Sequence, residues 1–182
     1  MIILIILIFL KRMYSTHNIA IETDNGKKYY VNRTTDIAFA KEKANLLDRI
    51  NKEVKTLIEL LKVSEYKENN NVKKLFTNWS GYLEEIDSLE DPRSFAYNVN
   101  KGEQISICLI NKKTNTLNQY NEIMYVVLHE LAHIMTEDYS HNAEFWKQFE
   151  FLVNFASRHN IYEKIDYNKN PQPFCHGTLN SK

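Results

Sequence analysis

Two histidines and a glutamate stand within five consecutive positions of this 182-residue chain, His129-Glu130-Leu131-Ala132-His133. Four residues advance a helix by slightly more than one turn, so His129 and His133 share one face, about 6 Å apart along the axis. Two imidazoles placed in this way can bind one tetrahedral Zn²⁺. Glu130 lies about 100° further round the axis, where it can accept a proton from a metal-activated water without being a ligand. The pattern therefore predicts zinc-dependent hydrolysis with Glu130 as the general base.

A catalytic zinc site needs a third protein ligand and an open fourth position. His141 is the strongest candidate, because it follows His133 after a loop that can fold back and carries a nitrogen ligand suited to zinc. Four acidic residues nearby remain alternatives: Glu137, Asp138, Glu144 and Glu150.

His-Glu-Leu-Ala-His, then a short gap and His141-Asn142-Ala143-Glu144-Phe145-Trp146, resembles the WLM and SprT-like group of zinc metallopeptidases, and particularly WLM-like proteins of large DNA viruses. The flanking segments 105–110, 166–171 and 174–175 extend the resemblance over residues 95–179. The gap between His133 and His141 is longer than is typical of WLM members, and Cys175 is followed by His176 where glycine is expected.

The resemblance implies that His129, His133 and His141 hold one Zn²⁺ per chain and that Glu130 is the catalytic base. A tyrosine often stabilises the oxyanion in such enzymes, and Tyr139 and Tyr167 are the candidates. The implied activity is peptide-bond hydrolysis, with a protein or peptide as substrate. Family members in DNA repair cleave proteins crosslinked to DNA, so the resemblance also implies that substrate class. The charge does not favour it: 23 basic and 23 acidic residues give zero net charge, not an overall basic surface.

An alternative from a different functional class is a protein that binds zinc but catalyses no reaction. The chain would then be a catalytically silent, membrane-anchored binding protein with a structural zinc site. Glu130 argues against this alternative, since a structural site has no need of a base.

The elements that must position these residues follow from hydrophobic periodicity. Apolar residues surround most of a helix predicted from Gln119 to about Met135, which is typical of a buried central helix. A second helix is expected from about Asn142 to His159. Further helices are expected over residues 37–61 and 72–79, and a hairpin of strands over 95–99 and 104–110. These elements predict an α+β fold, mostly helical with a small antiparallel sheet, and the resemblance implies that it is a zincin-like minimal metalloprotease domain.

The N-terminal part of the chain reads differently. Residues 1–10 carry no polar side chain and precede Lys11 and Arg12. The run is shorter than the about 20 residues of a usual spanning helix, but flanking basic side chains can reach lipid headgroups. We expect a short hydrophobic segment over residues 1–14 that anchors the chain to a membrane, with the rest of the chain on its cytoplasmic side. The protein is then intracellular, as a viral or host-cell protein. A buried terminal strand is the alternative.

Three further segments complete the organisation. Residues 15–34 form a linker or a small hairpin, and residues 35–179 the metallopeptidase domain, with its motif-bearing core at 95–179. The tail from Asn168 contains Pro171 and Pro173 and is expected to be irregular. Two cysteines, Cys108 and Cys175, are too few for a disulfide-built fold. Cys175 and His176 together could offer a soft metal-ligand pair, although a structural tail is favoured.

Overall fold

The computed structural model describes residues 18–87 and 94–180. The helices in this part of the chain are α1 (Ile37–Val63), α2 (Asn70–Asn78), α3 (Tyr120–Met135) and α4 (Ala143–Arg158). The strands are β1 (Asn18–Glu22), β2 (Lys28–Asn32), β3 (Leu83–Glu85), β4 (Ala96–Val99), β5 (Gln104–Ile107), β6 (Ile110–Asn111), β7 (Thr116–Leu117), β8 (Gln172–Phe174) and β9 (Gly177–Leu179). The predicted α+β class, with helices dominant and the sheets small, is confirmed.

The N-terminal hairpin packs against the long first helix. Strands β1 and β2 pair antiparallel, and Tyr29 and Val31 of β2 are buried. Helix α1 begins at Asp36, whose side chain accepts a hydrogen bond from the Phe39 N–H and so satisfies one of the free donors of the first turn. Residues 18–32 therefore form a hairpin, one of the two structures that the sequence allowed for this region.

A three-stranded mixed sheet lies between the helices, in the order β3-β5-β4. Strands β4 and β5 form the predicted hairpin, although β5 ends at Ile107 and the chain resumes as β6. Strand β3 pairs parallel to β5, with Leu83 opposite Ile105. This parallel pairing was not predicted, because a strand of three residues is too short to show the alternation of apolar and polar residues that identifies strands.

Helix α3 occupies the centre of the molecule. Its N-terminus carries a capping box, in which Gln119 and Glu122 satisfy each other's backbone donors. It packs against α2, α4, β4 and β5, and side chains on all sides of it are buried. The predicted helix is confirmed to within a residue at its N-terminus, and its circumferential apolarity corresponds to this central position.

The two prolines of the C-terminal tail predicted an irregular segment, and this expectation is wrong. Strands β8 and β9 form a short antiparallel hairpin in which Pro173 lies opposite Thr178. A two-stranded ribbon leaves each strand with one unpaired edge, where the N–H that proline lacks is not needed. A disulfide between Cys108 and Cys175 ties this hairpin to the end of β5.

In the two described stretches of the chain, no helix combines the length and the hydropathy needed to cross a membrane. The predicted anchor at residues 1–14 lies outside the described residues.

Candidate metal centre

Helix α3 and the start of α4 bring three histidines together. His129 and His133 lie one turn apart near the C-terminal end of α3, as their spacing requires. His141 follows the loop 136–140 and directly precedes Asn142, whose side chain accepts from the Phe145 N–H and starts α4. Because the cap fixes where α4 begins, it also fixes the backbone that carries His141.

The three imidazoles form a nearly equilateral triangle. Their ring centroids lie 5.0 Å (His129–His133), 4.8 Å (His129–His141) and 4.9 Å (His133–His141) apart. The Nε2 atoms of His129 and His141 are 2.9 Å apart, and one nitrogen from each ring lies within 4.8 Å of the others. In the described part of the chain, this is the one group of three or more potential ligand side chains that could hold a metal ion.

Phe145 forms the floor beneath these rings. It is fully buried, and its ring centroid lies 4.7 Å from His129, 4.3 Å from His133 and 4.7 Å from His141. Trp146 flanks the same rings, 5.8 Å from His141 and 6.3 Å from His129. The aromatic pair that follows Asn142 thus limits the orientations open to the three imidazoles.

Burial keeps the histidines of α3 neutral. Burial, together with the neighbouring His133 and His141, lowers the pKa of His129 to about 3. Burial also lowers the pKa of His133 to about 4, assisted by His141 and Lys101. Neutral imidazole is the form that binds a metal, so these rings present ligand nitrogens at neutral pH without first losing a proton.

Glu130 lies in the wall of an open cleft that also exposes His129 and His141. The cleft has a volume of about 470 Å³. Burial raises the pKa of the Glu130 carboxyl to about 7. A carboxylate beside the histidines and open to a cleft is placed to exchange protons with a molecule bound there.

The turn of the β4–β5 hairpin holds the C-terminal end of α3. The Lys101 ammonium donates to the carbonyl oxygens of His133, Thr136 and Asp138, at 3.0, 3.1 and 2.8 Å. Asn98 donates through Nδ2 to the Glu130 carbonyl oxygen at 3.0 Å. A cation at a helix C-terminus is favourable because it meets the free carbonyls. Sequence reasoning missed both residues, since neither local periodicity nor spacing links them to the histidines.

The two tyrosines proposed as oxyanion donors lie away from the cleft walls. Tyr167 is fully buried and stacks edge-on against Tyr125, with ring centroids 4.7 Å apart. Tyr139 is exposed in the loop before His141, and Lys101 lies 4.0 Å from its ring centroid. Tyr125, one turn before His129, does line the cleft. Its spacing of four residues from His129 is the signal that could have identified it.

The acidic alternatives for a third ligand have other surroundings. Glu137 pairs with Lys74, and the Glu144 carboxylate accepts from the Asn71 amide at 3.3 Å. Asp138 accepts from the Ser140 N–H at 2.9 Å. Glu150 is exposed along α4, beside a neighbouring pocket. The geometry thus favours His141 as the third ligand.

Residues of the C-terminal hairpin complete the cleft. His176, Thr178, Leu179 and Asn180 line it. The Cys175 sulfur is engaged in the disulfide, so it does not form a soft-ligand pair with His176.

The residues present fit a zinc ion. Two nitrogens bound to one tetrahedral Zn²⁺ lie about 3.3 Å apart, close to the separation of the His129 and His141 nitrogens. Nδ1 of His133 is buried and has no hydrogen-bond partner among residues 18–87 and 94–180. No described side chain therefore competes with an ion for this nitrogen.

Comparisons with known proteins identify relatives of this chain. The family model of the WLM domain matches residues 35–170. An uncharacterized protein of Acanthamoeba polyphaga mimivirus is 30% identical over 180 residues, covering 93% of this chain and 86% of the viral protein. An uncharacterized protein of Invertebrate iridescent virus 6 is 34% identical over 84 residues, covering 45% of this chain and 46% of that protein.

Solved structures of the protein Wss1 are also similar to this chain. The crystal structure of a Wss1 mutant from S. pombe covers 78% of this chain and 99% of its own, with 17% identity and a TM-score of 0.44. Wss1 from Saccharomyces cerevisiae covers 68% of this chain and 80% of its own, with 21% identity and a TM-score of 0.39.

Proposed function

The chain belongs to the WLM domain family, and from this premise we propose that it is a zinc-dependent metallopeptidase that hydrolyses peptide bonds in a protein or peptide substrate. The observation that carries the proposal is the convergence of His129, His133 and His141, with Glu130 beside them in an open cleft. In this proposal residues 35–179 are the peptidase domain and residues 95–179 its catalytic core.

The three histidines would hold one zinc ion per chain. Bound there, zinc would act as a Lewis acid. It would lower the pKa of a water molecule to about 7 and polarise the substrate carbonyl. Glu130 acts as the general base: it takes the proton of the attacking water and returns it to the leaving amine. The cleft holds the substrate so that the scissile carbonyl faces Glu130. Lys101 and Asn98 hold the C-terminal end of α3 in position through hydrogen bonds to its carbonyl oxygens.

The alternative is a silent binding protein with a structural zinc site. Two observations support catalysis over that alternative. Structural zinc sites are closed by four protein ligands, whereas three side chains converge here in the described part of the chain. A structural site also gives no reason for a carboxylate at position 130 that lines the same cleft.

Removal and return of the metal test the proposal. The purified chain is stripped with a chelator and incubated with fluorescein-labelled casein, a polypeptide with little stable structure. We expect no cleavage by the stripped chain and full recovery after one equivalent of zinc. Cleavage that survives chelation, or no cleavage by a chain shown to hold zinc, contradicts the proposal.

A further inference from the structure

The C-terminal hairpin places a fourth histidine at the cleft. His176 occupies the two-residue turn between β8 and β9 and lines the cleft together with His129 and Glu130. It is exposed, and its ring makes no hydrogen bond to any residue in 18–87 or 94–180. It lies on the β8–β9 hairpin and is not one of the three histidines that converge at the metal centre.

The turn that presents His176 is firmly fixed. Cys175 has a φ of +53°, in the left-handed region that non-glycine residues rarely occupy. Its sulfur is bonded to Cys108, and its carbonyl oxygen accepts from the Lys112 N–H at 2.7 Å. The Asn118 side chain accepts from the Cys175 N–H at 3.4 Å. Three separate bonds hold this backbone conformation and so fix the direction in which the Cα–Cβ bond of His176 leaves the turn.

The hairpin also packs closely against Phe95, which precedes β4 and lines the same cleft. The ring of His176 lies 5.1 Å from that of Phe95, centroid to centroid. A Cβ at position 177 would lie 2.9 Å from Phe95 Cζ, so glycine is needed there for this approach. The imidazole therefore packs against the Phe95 ring at an interplanar angle of 49°, and its nitrogens are left to a molecule in the cleft.

We propose that His176 is a substrate-contacting residue, which donates a hydrogen bond from its imidazole N–H to a main-chain carbonyl oxygen of the bound polypeptide. An extended peptide offers an acceptor at every residue, and a neutral imidazole carries one donor. Much of the remaining cleft lining is apolar or aromatic, as at Phe95, Val126 and Trp146. This inference rests on the proposed function, because it assigns the occupant of the same cleft.

Binding to a zinc-loaded chain that cannot turn over separates contact from catalysis. The background is Glu130→Gln, and the probe is a fluorescein-labelled casein peptide followed by fluorescence anisotropy. Three substitutions of His176 in this background separate the contribution of the aromatic ring to binding from that of the hydrogen bond. His176→Phe keeps the packing on Phe95 without a donor, His176→Gln keeps a donor without the ring, and His176→Ala removes both. We expect about tenfold weaker binding for the Phe and Ala variants, and binding within about threefold of the parent for the Gln variant.

The matched control is His159→Ala, which removes an exposed histidine at the end of α4, where it contacts Phe155 and lies outside the cleft lining. Its binding should equal that of the parent. Unchanged binding in the Phe and Ala variants, or binding by the Gln variant as weak as by the Phe variant, overturns the proposal.

The zinc-loaded wild-type chain, assayed beside these variants, distinguishes the two claims. If the wild type holds zinc but does not cleave casein although peptide binding depends on His176, the peptidase assignment fails and the His176 contact stands. If it cleaves casein and the His176 variants bind normally, the peptidase assignment stands and the His176 contact fails.

Discussion

The Nε2 atoms of His129 and His141 lie 2.9 Å apart although the residues are 12 positions apart in sequence. One belongs to α3 and the other to the segment that starts α4, so the contact joins the two helices at the end of the loop 136–140. The loop 136–140 has to reverse the direction of the chain between the two helices. A change in its length or conformation would therefore displace His141 from the other two histidines.

Replacement of the third histidine tests the ligand set. We expect His141→Ala to weaken zinc binding by more than the about 100-fold that loss of an outer partner costs, because a direct ligand is removed. Glu144→Ala and Glu150→Ala should leave zinc affinity unchanged. Competition with a chromogenic chelator measures all three. An unchanged affinity in His141→Ala, or a large loss in either glutamate variant, would transfer the third ligand to an acidic residue.

Replacement of Lys101 tests whether the β4–β5 turn positions the metal centre. Lys101→Ala removes three charge-assisted hydrogen bonds, one to the last turn of α3 and two to the loop that follows it. We expect about 1.5–3 kcal/mol less unfolding free energy and about tenfold weaker zinc binding. Lys74→Ala is the matched control. It breaks an exposed pair with Glu137 in the same loop, and should cost at most about 1 kcal/mol. Equal effects of the two changes in denaturant titrations would remove the positioning role of Lys101.

The buried carboxylate of Asp48 gives a pH-dependent prediction for the N-terminal hairpin. Burial alone would raise the pKa of Asp48, but hydrogen bonds from Lys52, Lys27 and Asn25 outweigh it and hold the pKa well below its usual range. A pKa lowered by folding contributes stability that is present above the unfolded value, about 3.9, and is lost as the pH falls through the folded value.

The unfolding free energy of the wild type should therefore exceed that of Asp48→Asn near pH 6, and the gap should narrow steadily between about pH 5 and pH 2. Urea midpoints measured across this range give the comparison. Asp36→Asn is the control, because its exposed carboxylate caps α1 and asparagine caps equally well. A gap that stays constant with pH would show that the hairpin does not depend on the ionised Asp48.

The disulfide gives a stability prediction. Cys108 and Cys175 are 67 positions apart, and the chain-entropy estimate for a loop of this length is about 4 kcal/mol. Replacing both by alanine should lower the unfolding free energy by about 2–4 kcal/mol. A reducing agent should lower the stability of the wild type and leave the double variant unchanged. Identical wild-type midpoints with and without the reductant would contradict this expectation.

The sequence predicted the helices well because their signal is local. The spacing of Leu128, Leu131 and Met135 on α3 reports a buried helix directly, and the predicted ends of α3 and α4 differ from the observed ones by about a residue. The position of His129 and His133 on one face follows from the same geometry.

The features that were missed depend on residues far apart in sequence. Leu83 acquires strand geometry by pairing with Ile105, and Lys101 meets the carbonyl of His133 only once the sheet has docked on α3. The tail hairpin is tied to the rest of the domain by a disulfide to Cys108, 67 positions earlier in the sequence. No local pattern encodes these contacts, so only the folded chain reveals the second wall of the cleft.

The most direct test of the central claim compares the wild type with Glu130→Gln, both loaded with zinc. The amide keeps the size of the side chain but cannot take a proton from water. We expect metal analysis to find one zinc in each chain, the wild type to cleave casein, and Glu130→Gln to lose at least about 100-fold in kcat. Cleavage at the wild-type rate by a zinc-loaded Glu130→Gln chain would contradict it.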